Sequence, residues 1–205
     1  MACMGKFSAA IISLVVVMTS LSAGINAEAP EDGIKYVDMK TFIEKNQKLW
    51  VYKTTQNGTV ECKNDHYIAV NETHTSFHRS FLDHSKIQHE SLQGDFLHWT
   101  NEDEEAKRKY YAMEVHHQTK RGDLPLGYEV FEYENEERNC AVVSVLDFST
   151  GDTITWRELR LNESIATTES APHECLKAFK DIAREAKARS WRVTYSSKCK
   201  TVEGN

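Results

Sequence analysis

Three segments of this chain alternate aromatic or apolar side chains with charged ones in the two-residue rhythm of a β-strand. Glu129, Phe131 and Tyr133 share one face in 127–134, and Tyr111, Met113 and Val115 share one in 109–117. Ile154, Trp156, Glu158 and Arg160 share a face in 153–161. Apolar walls carrying a few placed acids are what a small-ligand pocket requires, and a barrel interior presents that alternation. A carboxylate there could pair with a protonated amine, and aromatic faces would add cation–π attraction. The opposite orientation stays open at this point. Glu129 and Glu158 would then face solvent, since carboxylates are almost never buried without a partner.

Catalytic signatures are absent: no Gly-x-Ser-x-Gly elbow, no phosphate-cradling glycine loop and no His-Glu-x-x-His helix. No enzyme and no cofactor are expected. Among the histidines, His74 with His78 and the adjacent His116 and His117 invite a metal reading. No Cys, His and carboxylate set is placed to close a tetrahedral site, so solvated strands are the expectation. The acidic runs at 102–105 and 132–137 read as turn decoration.

These residues need elements to position them, and the compartment comes first. Lys6, an apolar stretch from Phe7 to Leu21, and small residues at Ser22, Ala23, Gly24 and Ala27 read as a secretory signal peptide over 1–27. Cleavage after Gly24 or after Ala27 would suit. No later segment is apolar enough to span a bilayer, so a secreted protein with no membrane partner is expected, its one domain covering 28–205. Cys3 leaves with the leader. Cys62, Cys140, Cys175 and Cys199 remain, an even set that reads as two disulfides with three connectivities open. With every cysteine paired, no thiol is left for a covalent dimer, and a monomer is expected. Sequons at Asn57, Asn71 and Asn162 agree with secretion. The net charge of −6 argues against nucleic acid, because no basic surface is concentrated along the sequence.

A short helix is expected around Val37 to Ile43, with Asp38 near its start. A strand follows from Leu49 to Thr55, and Asn57-Gly58 reads as a hairpin turn. Further strands are expected at 61–70, 75–82, 86–92, 96–100, 109–117, 127–134, 140–148 and 153–161, separated by polar or glycine-containing turns. Strands at this spacing predict a barrel or a sandwich. Pro172 in a first turn, with Ser170 as cap, opens an amphipathic helix in which Cys175, Leu176, Phe179, Ile182, Ala183 and Ala186 recur at helical spacing. A last strand-like piece, 191–195, precedes Cys199.

With these pieces in place the chain resembles the tick salivary lipocalins, which include the tick histamine-binding proteins. The resemblance rests on a helix before Trp50, the run Glu129-Val130-Phe131-Glu132-Tyr133, the run Asn139-Cys140-Ala141-Val142-Val143-Ser144-Val145, then Arg157-Glu158-Leu159-Arg160, and finally Cys175 and Cys199. It implies an eight-stranded antiparallel lipocalin barrel with a short N-terminal helix and a C-terminal helix packed on it. It also implies the pairing Cys62–Cys199 and Cys140–Cys175, and it places Glu129 and Glu158 inside as ligand-binding acids. The ligand set it implies is histamine or serotonin held by those acids, with Trp156, Tyr111, Phe131 and Tyr52 as aromatic walls. A lipid mediator such as a leukotriene or fatty acid, or cholesterol, is the alternative, and a host immune protein is a third. Arg160 stands where the family pattern often carries Trp. If internal, it would pair with Glu158 or meet an anionic ligand.

Overall fold

The computed structural model describes residues 37–98, 109–119, 124–166 and 170–202. The expected leader and the turns at 102–105 and 120–123 lie outside the described residues. Helix α1 (Met39–Lys45) precedes eight antiparallel strands: β1 (Lys48–Thr54), β2 (Glu61–Val70), β3 (His74–Asp83), β4 (Lys86–Leu97), β5 (Ala112–His117), β6 (Gly127–Glu134), β7 (Cys140–Asp147) and β8 (Ile154–Asn162). Each strand pairs with the next, and β1 pairs with both β2 and β8, which closes the barrel. Then come the short α2 (Glu163–Ala166), α3 (His173–Glu185), β9 (Arg192–Val193) and a 3₁₀ turn, Ser197–Thr201.

Local chemistry explains where elements begin and where expectation and structure part. Asp38 caps α1 by accepting from the Thr41 amide at 3.1 Å. The segments 86–92 and 96–100 are expected as two strands, but 86–97 forms the single strand β4, and residues 99 and 100 lie outside the described residues. Gly94 lies inside it, paired with Thr75 and Val115, where an added Cβ would sit 2.5 Å from Met113 Sδ. That glycine marks a close approach rather than a break. Asn57-Gly58 is not a two-residue hairpin: β1 leaves β2 after Trp50↔Asn64, and a longer loop, 55–60, joins them. Pro172 occupies the N-cap of α3, with φ −53° and ψ 143°, and no side chain caps that helix, so Ser170 does not play that part.

Strand alternation sorts side chains into two apolar layers. Inside the barrel, Leu49, Tyr67, Phe77, Leu92, Met113, Phe131 and Val143 pack with Met39, Phe42 and Ile43 of α1, which closes one end. Outside, Trp50, Val142, Leu159 and Leu161 meet Cys175 and Phe179 of α3. A register shift between Phe131 and Tyr133 moves Tyr133 to the outer layer, so it does not share the face of Glu129 and Phe131.

The C-terminal segment fills the gap that β1 and β2 leave as they diverge. β9 pairs with Lys53 and Thr54, the Thr194 amide donates to Tyr52 O at 3.0 Å, and the Cys62 amide donates to Thr194 O at 2.9 Å. Tyr195 lies edge-on to Trp50 with centroids 5.1 Å apart. The bridge Cys62–Cys199 fixes this wedge, and Cys140–Cys175 fixes α3 on β7, with Cα separations of 5.0 and 6.4 Å. The loops closed span 137 and 35 residues, contributing roughly 5 and roughly 4 kcal/mol by chain entropy. Urea unfolding of the two double-alanine variants should therefore find Cys62/Cys199 the costlier pair to lose. The reverse order would mean that holding α3 against β7 outweighs loop closure.

Candidate functional site

Inside the barrel, between the α1 plug and the open mouth, lies a layer of charge. Lys63 and Asp65 come from β2, Arg79 from β3, Glu129 from β6, and Glu158 and Arg160 from β8; all are nearly or fully buried. Arg160, 0% exposed, is the hub. Its Nη1 donates to Glu129 Oε2 at 2.6 Å and to Asp65 Oδ2 at 3.2 Å. Its Nε and Nη2 both donate to Glu158 Oε2, at 2.9 and 2.7 Å. Arg79 holds Asp65 with two hydrogen bonds of 2.7 and 2.8 Å and reaches Glu129 Oε1 at 2.6 Å. Glu158 Oε1 accepts from Lys63 Nζ at 2.7 Å and from Trp156 Nε1 at 2.9 Å. Three cations thus meet three carboxylates, the condition under which burial of so much charge is tolerable.

The electrostatics follow from this arrangement. Burial would raise the pKa of Glu158, but Lys63 and Arg160 more than cancel it and bring the carboxyl down to about 2. Glu129 is held still further below the carboxylate range: burial opposes ionisation, and Arg160 and Arg79 overcome it. Lys63 goes the other way for a lysine in an ion pair. Burial lowers its pKa, the repulsion of Arg79 adds to that, and the attraction of Glu158 does not compensate. The partners differ because Glu158 is also bonded by Arg160 and Trp156, whereas Lys63 hydrogen-bonds only Glu158 among the described residues and is repelled by Arg79 and Arg160. Tyr67, below the layer, has a buried hydroxyl without a partner among the described residues, and burial followed by Asp65 pushes its pKa well up.

Above the layer, at the end opposite α1, a cavity of about 250 Å³ opens. Lys63, Arg79 and Glu129 form its charged floor, with Trp156, Val115 and Val145 among its apolar walls. The volume lies just under the range usual for ligands of drug size, which suits a small molecule. Gly127 lines the mouth where an added Cβ would collide with the Leu146 carbonyl, so that strand crossing admits no larger residue.

The residues expected at a site divide between positions. Glu129 and Trp156 border the cavity, while Glu158 and Arg160 lie in the charge layer beneath it. Phe131 packs edge-to-face with Phe42 of α1 at 5.6 Å, at the closed end. Tyr111 is buried near that end too, its carbonyl accepting from the Phe131 amide at 2.8 Å. Tyr52 packs on the outer layer beside the C-terminal segment. The aromatic wall expected of Tyr111, Phe131 and Tyr52 is therefore not the wall of the mouth cavity. Alternation tells inside from outside but not height along the barrel. Lys63, Asp65 and Arg79 are not among the expected residues, although Lys63-x-Asp65-x-Tyr67 and Phe77-x-Arg79-x-Phe81 carry the same alternation of charge and aromatic. Of the sequons, Asn57 and Asn71 are exposed. Asn162 is half-buried, its Oδ1 accepting from Ser164 Oγ at 2.9 Å and the Ile165 amide at 3.2 Å.

An eight-stranded closed barrel, plugged at one end and open to a ligand-sized cavity at the other, defines a lipocalin. The profile of the tick histamine binding protein family matches residues 27–201, and the chain belongs to that family. Solved structures agree on the fold. The siderocalin Ex-FABP superposes with a TM-score of 0.55 at 10% identity, covering 75% of this chain and 95% of its own. Siderocalin Q83 gives 0.52 at 8% identity, covering 74% and 89%, and the bovine lipocalin allergen Bos d 2 gives 0.50 at 9%, covering 82% and 99%. A comparison with curated protein sequences returns no match.

Two measurements test the charge layer. Arg160→Met leaves three buried carboxylates short of a cation and should cost on the order of 3–5 kcal/mol in urea unfolding. A loss below 1 kcal/mol would mean that the layer is hydrated and not held by Arg160. Glu158 is ionised in the folded protein down to about pH 2, whereas an unfolded glutamate protonates near its ordinary value of 4.5. Its stabilising contribution is complete above that value and disappears as pH falls toward 2, on the order of 3 kcal/mol at most. Unfolding free energy should decline across that window, less steeply in Glu158→Gln.

Proposed function

We propose that this protein captures a small mediator in the mouth cavity and sequesters it unaltered, and that the mediator is a biogenic amine of the histamine or serotonin kind. The observation that carries the reading is the setting of Lys63. Its ammonium lies 2.7 Å from Glu158 and 5.8 Å from the centre of the Trp156 ring, while the Trp156 indole donates to the same carboxylate oxygen. A carboxylate with an aromatic face beside it is what a protonated amine seeks from a barrel wall. Here the chain's own lysine stands in for that amine. Burial lowers the pKa of Lys63 and Glu158 does not restore it, so this cation, which lines the cavity, is the one offered for exchange. A ligand ammonium carrying its own ring can then take its place. The family description supports the same class.

One observation favours a second ligand class. Lys63 uses one of its three N–H donors, and Arg79 Nη1 donates to no described residue, yet both side chains border the cavity. Spare donors at a cavity floor suit the carboxylate of a lipid mediator. On either reading the protein is a carrier and acts outside the cell, as its two disulfides and family favour. Among the described residues no helix is long and apolar enough to cross a membrane.

Titration calorimetry with histamine, serotonin and an unsaturated fatty acid separates the readings when wild type is compared with Lys63→Met. On the amine reading, the variant binds amine about tenfold tighter, because displacement no longer opposes it. If amine binds neither form and the variant loses the fatty acid, the amine reading is wrong and the lipid reading stands. Absence of both ligands would sink both, leaving a host protein as the target.

A further inference from the structure

The acidity of the whole chain hides a local reversal. Segment 186–202 carries Lys187, Arg189, Arg192, Lys198 and Lys200 and no carboxylate, within a chain of net charge −6. Part of it borders a groove of about 260 Å³ on the outside of the barrel, facing the 55–57 part of the β1–β2 loop and the start of β8. Arg157, Lys187 and Arg189 line this groove together with the hydroxyls of Thr55, Thr155 and Ser190, and no acidic residue lines it. Lys187 and Arg189 are already close in the sequence, and the fold adds Arg157 from β8.

Two further observations distinguish this groove from an ordinary solvated face. The Arg157 side chain is 20% exposed, and its Nε is buried with no hydrogen-bond partner among the described residues. Its guanidinium otherwise meets Glu132 at 3.6 Å. A buried donor left unmade costs about 1–3 kcal/mol, a deficit that an incoming acceptor would relieve. Lys187, moreover, sits at the left-handed position that ends α3, with φ 55°. Its amide donates to Arg184 O at 2.8 Å and the Ala188 amide to Ala183 O at 2.9 Å, a Schellman closure in which glycine is the usual occupant. A lysine there costs stability, about 1–2 kcal/mol, and yet supplies one of the groove's cations. Outside the groove, Lys53 of β1 and Lys180 of α3 are two further cations close enough to repel each other.

We propose that this groove binds an oxyanion of the sulfate class, presented by a sulfated polysaccharide. Three cations with hydroxyls between them suit a tetrahedral oxyanion, and the further cations Lys53 and Lys180 suit a chain that repeats the charge. A disulfide-bonded protein meets sulfated glycans, rather than nucleic acid, in the oxidising surroundings where such bridges persist. Trp156 borders both the groove and the mouth cavity, so the two sites are back to back yet chemically separate.

Lys187→Gly provides a decisive variant, because glycine suits the left-handed position and should raise the melting temperature while removing a cation. The whole secreted protein would be titrated with a heparin octasaccharide across a salt series, alongside Arg189→Ala. Asn57→Gln is included because Asn57, on the groove's rim, is a sequon. Expected are octasaccharide binding that weakens with salt, a log–log slope reduced by about one in each cation variant, and unchanged or stronger binding in Asn57→Gln. Binding untouched by both cation variants would overturn the proposal. So would binding of inorganic sulfate without the octasaccharide, which would assign the groove to a free ion, or equal binding of single-stranded DNA, which would reduce it to general polyanion attraction.

Discussion

Arg160 is the constraint around which the barrel interior is organised. A guanidinium that is wholly removed from water must have carboxylates on several sides, and they come from β2, β6 and its own strand β8. Arg79 and Lys63 then neutralise the acids that Arg160 alone would leave in excess. Such a network adds little net stability over apolar packing, because desolvation offsets attraction. What it adds is exclusivity. Slipping any of these strands by one residue would turn its charge outward and strand the partners in a low-dielectric core. The alternating faces of β2, β3, β6 and β8 are thereby locked into one register.

Two apolar layers frame that network. The inner one, capped by Phe42 and Ile43 of α1, seals the end of the barrel below it. The outer one lies beneath α3 and the C-terminal segment, where Trp50, Leu159, Leu161 and Phe179 exclude water from the far side of the same strands. Both disulfides belong to this outer layer. Their role is to hold in place pieces that a barrel of this size does not itself require: a helix laid on β7 and β8, and a tail wedged between β1 and β2. With the lower end and the outer wall sealed, the mouth remains as the place where polar groups of the interior can meet a ligand.

The mouth cavity inherits its chemistry from the layer below. That layer is neutral in sum but uneven in detail, because the carboxylates spend their lone pairs on the arginines while Lys63 keeps donors unused. For Lys63, burial also outweighs pairing. Arg160 bears on this difference: it claims Glu158 Oε2 and leaves Oε1 to be shared by lysine and indole.

Much of this was legible in the residues alone. Strand alternation marked the strands and put Trp156, Glu158 and Arg160 on one face, and helical spacing marked α3, because both patterns are local consequences of backbone geometry. The family resemblance supplied the cysteine pairing and the inward direction of the acids. Other features escaped for physical reasons. Alternation carries no height, so Phe131 at the plug and Trp156 at the mouth looked alike. A bulge resets the period, so Tyr133 was placed on the wrong face. Above all, the partner of Glu158 lies 95 residues away in β2. The sequence by itself determined that charged and aromatic side chains would share faces of strands. Only the tertiary structure decided that those faces would converge, because closing β1 against both β2 and β8 is what brings Lys63 and Asp65 within reach of Glu158 and Arg160.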